Sequence, residues 1–210
     1  MSAETPGLRE SKKQETRQLI SDHATRLFLA QGFERTTVAE IAAAARVAKK
    51  TVTNYFARKE DLAFDRQEAF TAGLALAVTG RGDGETPLAA LRREFTAALE
   101  GHDPVAGFAG PDFSRMIADS PTLTGRLREL HDQREEALAA ALAALAPGDA
   151  PDLPPRAAAA LVGAAHRLLF RRIQELTLAG YDDGAITAAL TPEAAHLFDL
   201  LDRAFTPANA

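Results

Sequence analysis

Residues 36–62 read TTVAEIAAAARVAKKTVTNYFARKEDL. Thr37 followed three residues later by Glu40 has the form of a capping box, which fixes a helix start because each side chain satisfies a backbone N–H the first turn leaves open. Val38, Ile41, Ala42 and Ala45 then fall on one stripe, the spacing of a helix that buries one face. The pattern restarts after Arg46 and Val47 with AKKTVTNYF, so the stretch predicts two short helices joined by a tight turn.

Taking Val52 as the inward reference and stepping roughly 100° per residue, Ala48, Tyr55 and Phe56 share the inward flank, while Thr53, Lys50 and Asn54 lie at about 100°, 160° and 200°. Two long polar groups four residues apart on the outer face suit a helix laid in a DNA major groove. Lys can donate to guanine O6 or N7, and Asn can bond N6 and N7 of adenine. Thr37, Lys49, Thr51, Tyr55 and Lys59 surround that helix as candidate DNA contacts, chiefly to phosphates, which position a protein without specifying sequence. On an isolated short helix the same residues would read as an ordinary solvated face; the surrounding motif favours the DNA reading. Lys12 and Lys13 could reach phosphate as well, but polar N-terminal arms are commonly disordered, and residues 1–14 read as a flexible arm.

Working outward, residues 15–31 predict a first helix with Leu19, Ile20, His23, Ala24, Leu27 and Phe28 on one stripe, ended by Gly32. A linking helix is expected over 58–78, followed by the turn-rich GRGDGETP. Further helices are expected over 87–100, 122–146 and 156–179, with HDPVAGFAGPD as a loop or short broken helix and PGDAPDLPP as a break. A last apolar stripe runs through Ala194, Leu197, Phe198, Leu201 and Phe205. There is no sustained apolar/polar alternation and no internal repeat, so the fold class is all-α.

The 210 residues, 46% hydrophobic and 25% charged, can fold as a small head on a larger body. The net charge of −5 argues at first against a nucleic-acid partner. It hides an asymmetry: residues 1–62 hold 11 Lys and Arg against 8 Asp and Glu, a balance of +3, and all five lysines. A basic head on an acidic body is what a DNA-binding domain with an appended domain looks like. The chain contains no cysteine, which excludes disulfides and thiolate chemistry. With no apolar run long enough to span a bilayer and no signal-peptide pattern at the N-terminus, it reads as cytoplasmic, with no membrane partner.

Read together, Phe33, Thr36, Thr37, Ile41, Ala42, Val47, Lys49, Thr51, Val52, Tyr55, Phe56, Lys59, Glu60 and Leu62 resemble the N-terminal domain of the tetracycline-repressor (TetR) family, over roughly residues 15–65. The family's pattern has Ser or Thr at the start of the recognition helix, Gly one turn in and an aromatic after the Leu or Val; here those places hold Ala48, Lys50 and Thr53. The resemblance implies a three-helix, helix-turn-helix DNA-binding domain over 1–62 and a larger helical body over 63–210. That body would form a homodimer and enclose a pocket for a small-molecule effector that relieves repression. It implies no enzyme, and operator DNA as the partner.

The body offers weaker signals. Phe95, Met116, Leu127, His131, His166 and Phe170 are candidate pocket residues, being polar or bulky positions on apolar helices; core packing is the competing reading for each. Leu161, Ala165, Leu197, Phe198, Leu201 and Phe205 are candidate dimer-interface residues, with burial inside one subunit as the alternative. GRGDGE lacks the GK[ST] ending of a phosphate-binding loop. The five histidines show no metal-ligand spacing and no catalytic constellation is legible, so no metal, cofactor or catalytic residue is expected. The rival reading is an all-helical small-molecule-binding protein or enzyme with a vestigial head, which predicts no sequence-specific DNA binding.

Overall fold

The computed structural model describes residues 7–145 and 153–205, and no strand occurs among them. The helices are α1 (Leu8–Gln31), α2 (Val38–Ala44), α3 (Lys49–Tyr55), α4 (Gln67–Thr79), α5 (Pro87–Glu100), α6 (Pro111–Asp119), α7 (Pro121–Ala143), α8 (Leu153–Leu178) and α9 (Asp183–Phe205). None is long and apolar enough to cross a membrane. The chain divides into two compact units. A head comprises the chain through Gln67 together with Met116–Thr124, and a body comprises Glu68–Arg115 and the chain from Gly125 onward.

In the head, Ile20, Ala24 and Phe28 of α1 are buried with Ile41 and Ala42 of α2, Val52 of α3, and Phe33, Phe56 and Leu62. The capping box forms as its spacing predicts: the Thr37 hydroxyl accepts from Glu40 N–H at 3.2 Å, and Thr37 N–H donates to Glu40 Oε2 at 2.7 Å. α2 closes in a Schellman arrangement, with Val47 N–H bonded to Ala42 O and Arg46 N–H to Ala43 O. The left-handed residue this closure needs is Arg46, at φ 55°, rather than the usual glycine. The next residues leave that turn to start α3, which sets the angle between the two helices.

Three differences from expectation have local causes. α1 begins at Leu8 rather than near Glu15, so Lys12 and Lys13 lie on a helix and not in an arm; residues 1–6 of the expected arm lie outside the described residues. Leu19, placed in the buried stripe, is 44% exposed, because the core contacts of α1 run through Ile20, Ala24 and Phe28. The linking helix expected over 58–78 is broken. A 3-10 turn at Glu60–Leu62, closed by Arg58 N–H on Asp61 Oδ2 at 3.1 Å, turns Leu62 into the head core before α4 starts at Gln67. The first compact unit runs through Gln67 and includes Met116–Thr124.

The body is a helical unit in which α8 and α9 pack on each other and α5 packs on α9. Its core includes Leu74, Leu91, Phe95, Leu138, Val162, Ile173, Ile186, Leu190 and Phe198. Thr86 caps α5, its hydroxyl accepting from Ala89 N–H at 3.1 Å with Pro87 at the first helical position. The segment between α5 and α6, expected as loop or broken helix, holds a 3-10 turn at Pro104–Ala106 and the whole of α6. Gly107, at φ 125°, lets this segment approach α8 closely: a Cβ there would stand 3.1 Å from the Phe170 carbonyl oxygen. α8 starts three residues before the expected Arg156, and most of the PGDAPDLPP break lies outside the described residues.

Leu138 has no exposure within the body core, whereas Leu76 is 63% exposed. Leu138→Ala is expected to lower stability by about 2–5 kcal/mol, and Leu76→Ala by less than ~0.5 kcal/mol, in urea unfolding followed by circular dichroism.

Candidate functional site

The outer face of α3 is built as its periodicity predicts. Val52 is buried, while Lys49, Lys50, Thr53 and Asn54 are exposed. Neither Lys49 nor Lys50 has an ion-pair or hydrogen-bond partner among the described residues, so both ammonium groups stand free on the surface. The Thr53 hydroxyl donates to Lys50 O at 3.1 Å. Thr51 and Tyr55 are half-buried on the flanks. The face therefore presents two free cations and one side-chain amide, a set able to donate to guanine and to pair with adenine. α3 begins at Ala48 without a side-chain cap, as expected from the residue there.

Two candidate contacts have other occupations. The Thr37 hydroxyl and backbone N–H are both engaged by the Glu40 carboxylate, at 2.7 Å each, so an approaching phosphate meets an acidic group at the start of α2. Lys59 points inward. Its Nζ donates to the carbonyls of Phe33 at 2.9 Å, Thr36 at 3.1 Å and Glu34 at 3.4 Å, and lies 4.2 Å from the centre of the Phe33 ring. Three carbonyls from the α1–α2 connection saturate the three N–H donors of one ammonium. Lys59 thus ties the segment that precedes α2 to the segment that follows α3. Arg17 acts similarly from α1: its Nη1 donates to Tyr55 O at 3.1 Å, and its guanidinium lies over the Phe56 ring. The sequence carried no sign that Lys59 would turn inward, because an i, i+26 contact leaves no periodic trace. Lys59→Met is expected to lower stability of the head by about 1–3 kcal/mol. Unchanged stability with a shallower salt dependence of DNA binding would return Lys59 to phosphate contact.

The body encloses a small cavity of about 10 Å³, on the scale of a single water, lined by Glu94, Phe95, Ala98, Val105, Ala106, Arg134, His166 and Phe170. Of the candidate pocket residues, Phe95, His166 and Phe170 line it. His131 stands one layer behind, edge-on to Phe170 at 5.3 Å and to Phe70 at 5.0 Å. Leu127 is half-buried away from the lining, and Met116 is buried and belongs to the first unit. A second ring group joins Phe95, His166 and Phe198, with centroids 5.5–6.0 Å apart.

Arg134 is absent from the candidate pocket set, yet it is the most consequential residue here. It sits on the α7 stripe between Leu130 and Leu138, and a charge at an apolar stripe position is the signal that could have marked it. The residue is 5% exposed, its guanidinium lies 4.6 Å from the centre of the Phe70 ring, and its Nε has no hydrogen-bond partner. Burial pulls its pKa down to about 10, with the Glu94 carboxylate acting in the opposite sense. Burial raises the pKa of half-buried Glu94, opposed by Arg134. His131 is lowered to about 3 by burial and then by Arg134 and Arg167, and fully buried His166 is pushed well below the usual histidine range by burial, Arg134 and His131.

Both imidazoles are therefore neutral at physiological pH. Between about pH 3 and 6.5 the unfolded chain binds protons at His131 that the native state refuses, so stability rises with pH across that window and is level in this respect above it. The ring C–H resonances of His131 and His166 are expected to hold constant shifts from pH 5 to 8.

The dimer candidates divide by exposure. Ala165, Phe198 and Leu201 are buried within the subunit, where they pack between α8, α9 and α5, so they are core rather than interface. Leu161 and Phe205 are exposed and Leu197 is half-buried. Leu168 on α8 and Leu200 on α9, not among the candidates, are exposed as well.

Residues 20–65 match the family described as bacterial regulatory proteins, tetR family. The HTH-type transcriptional regulator TcmR of Streptomyces glaucescens is 35% identical over 147 residues, which are 66% of this chain and 64% of that regulator. Among solved structures, NalD of Pseudomonas aeruginosa, the secondary repressor of the MexAB-OprM multidrug efflux pump, is similar in fold. It has a TM-score of 0.54 and 18% identity, over 92% of this chain and 96% of that one. FadR of Thermus thermophilus, a TetR-family transcriptional repressor in complex with lauroyl-CoA, has a TM-score of 0.51 and 25% identity, over 92% and 97%. Residues 20–65 thus carry the match to the tetR family of bacterial regulatory proteins, in a chain that is similar in fold to these repressors.

Proposed function

We propose that the protein is a cytoplasmic transcriptional repressor that binds a near-palindromic operator as a homodimer and is released by a small molecule held in the body. The observation that carries the DNA half is the outer face of α3, where Lys49, Lys50, Thr53 and Asn54 stand exposed opposite buried Val52. In this reading Lys50 and Asn54 read bases, while Lys49, Thr51 and Tyr55 hold the backbone. Thr37 and Lys59 contribute by fixing the start of α2 and the α1–α2 connection. Two copies of α3 would enter successive major grooves about 34–36 Å apart.

The dimer is assigned to the outer faces of α8 and α9, where Leu161, Leu168, Leu200 and Phe205 leave apolar surface uncovered. Burying that surface between two copies favours association through the hydrophobic effect. The effector half is supported by the cavity and its unpartnered polar groups, and by the lauroyl-CoA complex of the T. thermophilus relative. Release follows only if the effector binds better to the state with lower DNA affinity.

Selection of bound fragments from genomic DNA tests the reading directly; failure to enrich any sequence at moderate salt would refute it. On the selected operator, Lys50→Ala and Asn54→Ala are each expected to cost about 1–3 kcal/mol and to relax preference at one base position. Non-specific binding should change little. Leu161→Glu is expected to shift the protein from dimer to monomer in analytical ultracentrifugation and to weaken operator binding with it.

A further inference from the structure

The body buries a charge that it does not neutralise. Arg134 is 5% exposed, no hydrogen bond or ion pair engages it among the described residues, its Nε has no partner, and the residue lines the cavity. His166, also on that wall, has its Nε2 orphaned. Nearly all buried polar groups in folded proteins find partners, and an unpaired buried cation is among the most destabilising features a core can hold. Two such groups converge on one void whose other walls include Phe95 and Phe170. A face of the Phe70 ring gives Arg134 partial compensation only.

We propose that the effector is an aromatic acid: its anionic oxygen pairs with the Arg134 guanidinium, His166 Nε2 supplies a second polar contact, and its rings take up the space between Phe95 and Phe170. The inference rests on the body being the effector site. Glu94 lines the same wall and would suit a cation instead, but the two charges are not equivalent. Glu94 is half-buried and can shed its charge by taking a proton, whereas a guanidinium cannot readily lose one. The charge that persists in the cavity is positive. A planar two-nitrogen fork also matches a carboxylate in a way that a point charge does not.

At about 10 Å³ the cavity has to widen to admit a ring. Val105 and Ala106 form the wall best suited to yield. They belong to a short 3-10 turn between left-handed His102 and Gly107, with Gly110 beyond, rather than to a long helix.

The test is calorimetric titration of the full chain with three probes of one shape: 2-naphthoate, 2-naphthamide and 2-naphthylmethylammonium. Naphthoate is expected to bind at least about tenfold more tightly than the amide, as a charge-assisted bond implies. Arg134→Met should bring that ratio to near one while leaving amide binding in place, and should melt several degrees higher, because an uncompensated charge has been removed. Arg134→Lys should keep part of the preference. Preference for the ammonium, or a wild-type ratio near one, overturns the proposal whether or not the variants fold. Equal binding of all three probes, abolished by Ala98→Trp, would keep the cavity as effector site and remove the acid. Binding of none at millimolar concentration, or binding indifferent to Ala98→Trp, would overturn the cavity assignment as well.

Discussion

The head depends on one constraint: α2 and α3 are each seven residues long, too short to persist as helices without tertiary support. What holds them is the burial of Ile41, Ala42 and Val52 against Ile20, Ala24 and Phe28 of α1. The loop geometry around that core is then fixed by polar contacts that reach across the sequence. Lys59 gathers the carbonyls of Phe33, Glu34 and Thr36, and Arg17 holds the end of α3 through Tyr55 O. The cations that tie the head together are thus distinct from those that face outward on α3. Lys49 and Lys50 are exposed on α3, whereas Lys59 and Arg17 donate to backbone carbonyls.

The body inverts that logic. Its helices are long, its core is continuous, and stability does not require polar groups inside it. Arg134, His131 and His166 are nevertheless buried among aromatic rings, and burial holds both histidines neutral. Such placement weakens the fold, and function is the usual reason that a local rule is broken without a compensating contact.

Much of the head was legible from residues 36–62 because its determinants are local. A capping box is a three-residue interval, a buried stripe repeats every three or four residues, and an exposed Lys50 and Asn54 follow from helical geometry once Val52 is known to face inward. α1 starts earlier than its apolar stripe does, because the six polar residues 9–14 continue a helix without adding to that stripe. The break at Glu60–Leu62 was missed because its cause, the burial of Leu62, lies in another part of the chain.

By itself the sequence determined the all-α class, the paired short helices, the basic head and the outward chemistry of α3, since each rests on spacing within a single element. Tertiary structure decided everything that depends on which elements meet. It turned Lys59 inward, assigned Ala165, Phe198 and Leu201 to the core, put Met116 in the head unit, and brought Glu94, Arg134 and His166 from three helices to one cavity. The reason is physical: periodicity states which face of a helix is buried, but the partner that buries it, and whether a polar group there finds a mate, is a property of contacts between residues distant in the chain.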